Sequence, residues 1–207
     1  MSQLSQIKLE NFTSFEALNL NLSPGISLLI GANGTGKTHL MKILYAACAI
    51  TTGEDLDKTF AQKLRNVFNP YEGRMGRLAR RQSGSIKTNI SVSQPNGLKL
   101  SAEFSNHTTK PDDIKTTSET AWKKNPLESS YIPVKEMLAH APGFLATAAR
   151  REIAFEEVYL DIIRRAFLPK LLGPANTDRQ INPNAIAATF TDLYERDLLR
   201  SLQHNGA

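Results

Sequence analysis

The chain has 207 residues, enough for one domain of ordinary size, with 25 Lys and Arg against 20 Asp and Glu and a net charge of +5. Its 41% hydrophobic and 22% charged content exclude a disordered or collagen-like chain, and no apolar run approaches the ~20 residues of a membrane span. The single cysteine, Cys48, excludes an internal disulfide framework and a cysteine zinc cluster, and Met1 to Phe12 does not read as a secretory signal, so the cytoplasm is the expected location.

In chain order, Ile7 and Leu9, then Leu18, Leu20 and Leu22, alternate with polar residues. This period of two predicts two half-buried strands about an Asn11-Phe12-Thr13-Ser14 turn. Pro24-Gly25 marks a second turn, and Ile26-Ser27-Leu28-Leu29-Ile30 suits a buried strand. A Gly-rich loop follows at Gly31–Gly36. Lys37 to about Ile50 has no Gly or Pro and predicts a helix; Asp55 to Phe68 predicts another, ended by Asn69-Pro70.

Tyr71 to Gly84 reads as a basic loop. Ile86 to Val92 and Leu98 to Phe104 alternate as strands around Pro95-Asn96-Gly97, a hairpin signal. Ser105 to Asn125 reads as a polar loop with Trp122 as its anchor, and Ser129–Ile132 as a short strand. Ala149 to Leu168 predicts an amphipathic helix with Asp161 and Arg165 as an i,i+4 pair. Gly173 to Asn184 reads as a loop and Ala185 to Leu202 as a last helix.

One motif carries chemistry. Gly31-Ala32-Asn33-Gly34-Thr35-Gly36-Lys37-Thr38 fits G-x-x-x-x-G-K-[ST], and it lies between an apolar strand pattern and a helix pattern, the context such a phosphate loop requires. Its glycines let consecutive backbone N–H groups turn inward around a phosphate. The helix beginning near Lys37 adds its dipole and unpaired N–H groups. Lys37 is expected at the β- and γ-phosphate oxygens, and the Thr38 hydroxyl at Mg²⁺. The expected nucleotide-binding residues therefore run from Gly31 through Ala32, Asn33, Gly34, Thr35, Gly36, Lys37 and Thr38 to the flanking His39. His39 is read as an exposed or packing side chain and not as a catalytic base.

The order Ile7-Lys8-Leu9-Glu10-Asn11-Phe12-Thr13-Ser14-Phe15, then Leu20–Leu22, Gly25-Ile26 and the loop with Asn33 resembles the N-terminus of ABC-type ATPases of the SMC and RecF-like group. Softer segments resemble bacterial AAA-type, SMC-like ATP-binding proteins: Gly76-Arg77-Leu78-Ala79-Arg80-Arg81, Ser130 to Leu138, and Pro142-Gly143-Phe144 with Arg151 to Glu157. The resemblance implies an α/β P-loop NTPase core at 1–134, with a mixed sheet and an antiparallel β-subdomain, and a helical segment at 135–207. It implies ATP and Mg²⁺ as ligands, Thr13 close to the nucleotide and Glu136 near a Q-loop position.

In that group hydrolysis also needs a Ser-Gly-Gly-type signature and an apolar strand ending in Asp-Glu, where the Asp holds Mg²⁺ and the Glu activates water. Neither motif occurs in this chain. The resemblance thus implies the front part of an ATPase head, a dimer or a protein partner that supplies signature and Walker B motifs, and no membrane. A small P-loop kinase and a non-catalytic nucleotide-binding adaptor stand as alternatives. Arg74, Arg77, Arg80 and Arg81 suit phosphate, DNA or an acidic partner, although a solvated loop is the favoured reading. Cys48 is read as core, Asp112-Asp113 and Glu156-Glu157 as surface charge, and His107, His140 and His204 lack metal-ligand spacing.

Overall fold

Alternating apolar residues build the sheet as expected. In the computed structural model, which describes residues 3–133, 144 and 156–166, β1 (Gln6–Phe12) and β2 (Phe15–Asn21) form a hairpin. β3 (Lys87–Ser93) and β4 (Lys99–Ser105) form a second hairpin, and β5 (Lys115–Thr117) pairs with β4. The sheet order is β2-β1-β3-β4-β5, with every pairing antiparallel. Register follows the hydrophobic pattern: Leu9 stands opposite Leu18 on one side and Ile90 on the other, and Val92 opposite Leu100.

Ile7, Leu9, Ile90, Val92, Leu100 and Ala102 join one buried core with residues of two helices. These are α1 (Lys37–Ala49) and α2 (Phe60–Phe68). α1 buries Leu40, Ile43, Ala46 and Ala47, the stripe that helical spacing places on one face. α2 starts later than the expected Asp55. Thr59 stops it there, through a capping box in which the Gln62 amide donates to the Thr59 hydroxyl at 3.1 Å and the Thr59 amide to Gln62 Oε1 at 3.0 Å. Its far end falls at Asn69-Pro70, as expected, with Asn69 in the left-handed region (φ 41°).

The stretch after β4 is more ordered than a polar loop. It carries β5 and the short α3 (Glu119–Lys123), in which the fully buried Trp122 donates its indole N–H to the Ala47 carbonyl at 2.7 Å. Thr51 adds a second tie, its hydroxyl donating to Cys48 O and accepting from the Leu127 amide. Trp122 is thus the anchor expected, set on the last turn of α1.

Two predicted strands are not formed. Residues 129–132 have no strand pairing, and neither do 26–30. In the second segment Ile26, Leu28 and Ile30 are 97%, 79% and 84% exposed, while Leu29 packs toward the core. The composition suits a buried strand, but among the described residues no strand pairs with it, so its backbone has no ladder to join there. The fold class is α/β, as a P-loop NTPase-like core requires, and the antiparallel β-subdomain is present. A mixed sheet around the phosphate loop is not formed among the described residues.

The chain divides into one unit of residues Met1–Ile162 and another from Ile163 onward. Beginning within the first, α4 (Glu157–Ala166) lies inside the expected Ala149–Leu168 helix and starts after the non-helical Glu156. Its Asp161 accepts from Lys63 Nζ (2.7 Å) and Tyr45 Oη (2.5 Å), a more buried engagement than the i,i+4 surface pair the sequence implied. Glu156 and Glu157 are not plain surface charge either. Glu156 pairs with the buried Lys42 at 2.6 Å, and the buried Glu157 pairs with Lys58 and Lys63. The expected boundary at 134/135, Glu136, the remainder of the predicted Ala149–Leu168 helix, the loop at Gly173–Asn184 and the helix at Ala185–Leu202 lie outside the described residues.

Candidate functional site

The loop joins the unpaired segment 26–30 to α1. Gly36 is the N-cap of α1, with φ +95°, and no side chain caps the helix there. The first-turn N–H groups are therefore left for another acceptor. Gly36 is buried, and a side chain is excluded there on two grounds: its φ lies in the left-handed region, and a Cβ would meet the Phe15 ring at 2.6 Å as well as the Ser14 hydroxyl. The glycine lets the β1–β2 turn press directly on the end of the loop.

Lys37 folds back over the loop. Its Nζ donates to the carbonyls of Gly31 and Ala32, each at 2.7 Å, and Thr35 Oγ1 donates to the Ala32 carbonyl at 2.9 Å. The lysine is thereby held inside the loop curve, on weak neutral acceptors that anionic oxygens would outcompete. Thr38 is exposed at the first turn of α1, and Ala32, Asn33 and Gly34 form the exposed crest.

The β1–β2 turn is rigid. Asn11 and Thr13 both adopt positive φ (50° and 48°), an unfavourable state that the surroundings impose. The Thr13 amide donates to the Leu78 carbonyl and the Arg80 amide to the Asn11 carbonyl, both at 2.8 Å. The Asn11 side chain donates to Lys87 O, and the Thr88 hydroxyl donates to Asn11 O. Thr13 Oγ1 is buried without a hydrogen-bond partner, next to the two residues that touch Gly36. An orphaned hydroxyl in that place fits a residue that faces a ligand.

His39 packs against an aromatic ring. Its ring meets Phe68 edge-on at 5.5 Å, and Phe68 in turn meets Phe12 at 5.4 Å. Burial and the nearby Lys42 ammonium lower its pKa, partly offset by Glu156, so the ring is neutral near pH 7. Cys48 is buried core, its thiol pushed up to about 12 by burial. Among the described residues no group of three or more His, Cys, Asp or Glu side chains is placed to hold a metal, and no helix is long and apolar enough to cross a membrane.

The sequence motif did not announce the hairpin turn's contact with Gly36, because residues 13–15 and 36 meet only through folding. Nor did it announce the ion-pair network behind α1. Lys63, fully buried in α2, lies 2.6 Å from Asp55 and 2.7 Å from Asp161. Burial raises the Asp55 pKa, but Lys58 and Lys63 outweigh it and hold the carboxyl below its ordinary value.

Residues 6–136 match the family described as AAA domain. Among curated proteins, the chain is 48% identical over 42 residues to the DNA replication and repair protein RecF of Lysinibacillus sphaericus, covering 20% of this chain and 11% of that protein. It is 28% identical over 88 residues to RecF of Bacillus cytotoxicus (42% and 23%) and 33% identical over 79 residues to RecF of Limosilactobacillus fermentum (36% and 21%). The chain thus spans between about a tenth and a quarter of the length of these relatives.

Proposed function

The chain belongs to the AAA-domain family of ATPase-type nucleotide-binding proteins, and on that premise we propose that loop 31–38 binds ATP with Mg²⁺. The observation that carries this is the uncapped start of α1 at Gly36, with Lys37 held over the loop by neutral oxygens, the Gly31 and Ala32 carbonyls and, at 3.5 Å, the Thr35 hydroxyl. Bound ATP·Mg²⁺ would supply a transferable γ-phosphoryl group and the cation that offsets its charge. The loop amides from Gly31 to Gly36 would wrap the phosphates, and Lys37 would exchange its two carbonyls for β- and γ-oxygens. Thr38 would turn its hydroxyl to the cation, and Thr13 would give its orphaned hydroxyl to the nucleotide. His39 flanks the set and packs it against Phe68.

Hydrolysis by this chain alone is not part of the proposal. No apolar strand ending in Asp-Glu occurs in the sequence, and the segment where such a strand would pair, 26–30, stands exposed. A complementing polypeptide, in a dimer or a hetero-complex, would add the strand, the water-activating carboxylate and the signature. Similarity to proteins named for DNA replication and repair supports a DNA transaction as the process served.

Thermal unfolding with saturating ATP and Mg²⁺ tests the site. At a nucleotide concentration of about 100 times Kd, stabilisation of about 2.7 kcal/mol is expected. Lys37→Ala should abolish it while leaving the melting temperature of the free protein nearly unchanged. No stabilisation of the parent chain by nucleotide would sink the binding proposal. Turnover of order 1–100 s⁻¹ by the chain alone, as for kinases, would sink the dependence on a partner.

A further inference from the structure

A second concave site lies apart in sequence from the phosphate loop. A cavity of about 420 Å³ is lined by Arg74, Arg77, Arg80 and Arg81, with Gln82 and Asn106. Its volume falls in the range of small-ligand pockets. Four arginines line it, and among the described residues their ion-pair partner is the exposed Glu16, 2.6 Å from Arg80. Arg77 lies over the Tyr71 ring at 6.0 Å, which leaves its charge in place. The Arg74 and Arg81 side chains have no ion-pair or hydrogen-bond partner among the described residues.

The framework under these arginines is fixed, unlike that of a solvated loop. Met75 and Leu78 between them are buried. The Gly76 amide donates to the Thr108 carbonyl at 2.7 Å, and a Cβ at Gly76 would strike the Asn106 backbone, so only glycine permits this approach. Phe12 bridges to Ala79, and the Arg80 amide donates to Asn11 O. On the other wall Asn106 accepts from the Ile86 amide and donates to Gly84 O at 2.8 Å. Holding like charges together on a rigid backbone is unfavourable without a counter-charge. It also removes most of the ordering cost of binding one.

We propose that this pocket is an anion site that takes a ligand with closely spaced phosphate groups. Guanidinium forks match phosphate oxygens two at a time, and four of these residues around one cavity suit consecutive phosphates better than a lone carboxylate. Two sources carry that chemistry, a free polyphosphate and the backbone of a nucleic-acid strand. The site stands on its own residues and does not depend on the reading of loop 31–38.

The test is titration calorimetry on the full chain carrying Lys37→Ala, which silences the loop, with inorganic pyrophosphate in one arm and a short mixed-sequence single-stranded oligonucleotide in the other. Binding in either arm is expected, weakened about tenfold or more by Arg74→Gln with Arg81→Gln. Binding of pyrophosphate identifies a small polyphosphate site. Binding of the oligonucleotide alone, with log affinity falling against log salt by about 0.7 per phosphate engaged, identifies the backbone. The melting temperature of the double variant should match its parent. If it does not, Arg74→Lys with Arg81→Lys keeps the charge and removes the forks, and a partial loss is then expected. Binding in neither arm, or binding that these substitutions leave unchanged, overturns the proposal.

Discussion

Gly36 shows how one residue serves both fold and site. Its positive φ starts α1 without a cap, and its bare Cα admits Ser14 and Phe15. Gly36→Ala adds a methyl against an aromatic ring and strains the backbone, so a loss of about 2–4 kcal/mol is expected in urea unfolding. Lys37→Ala, one residue on, should cost little without ligand, because it removes only hydrogen bonds at an exposed loop. The contrast separates the residue that builds the site from the residue that uses it. The motif in the sequence made both legible as phosphate-loop residues. It did not make legible the reason for the last glycine, since the ring that forbids a side chain comes from a strand end more than twenty positions earlier.

At the scale of elements, α1, α2 and the start of α4 are tied through charge as well as apolar packing. Lys63 is fully buried and donates to Asp55 and Asp161, Lys58 also reaches Asp55 and Glu157, and Tyr45 donates to Asp161. Removing one partner of such a set leaves buried charge uncompensated. Lys63→Met should therefore lower stability by about 3–5 kcal/mol at neutral pH. The pH dependence has a definite sign. The folded-state pKa of Asp55 is depressed, so its contribution is whole above the ordinary carboxylate value of about 3.9 and is lost as pH falls through the lower folded value. Denaturant curves of parent and variant should begin to converge as pH falls below about 4, and should meet only below the depressed folded-state value. A difference that persists undiminished in acid would show that packing of the lysine stem, and not its charge, holds the helices. Glu157 reads as surface charge and Asp161 as an i,i+4 partner of Arg165 in the sequence because residues 55, 63 and 157–161 meet only across the fold, and no spacing rule connects them.

At the scale of the whole molecule, the unpaired segment before the loop is the main departure from expectation. Ile26, Leu28 and Ile30 are all exposed. Exposed apolar backbone of this kind invites pairing with another chain. The isolated protein is expected to self-associate with rising concentration in sedimentation velocity. Leu28→Asp should reduce that association while changing unfolding stability by no more than about 0.5 kcal/mol, as for a surface position. A parent chain that stays monomeric throughout would show that this face needs no cover. The two hairpins, the helix after the loop, the Trp122 anchor and the phosphate-loop motif could be read from the residues alone, because each depends on local periodicity, turn chemistry or a short fixed spacing. Which apolar run found neighbours and which did not was settled by folding. It alone set Ser14 and Phe15 on Gly36, joined α4 to α2 through Lys63, and gathered four arginines around one cavity. Those outcomes depend on contacts between residues distant in the chain, and a local pattern carries no information about who its neighbours will be.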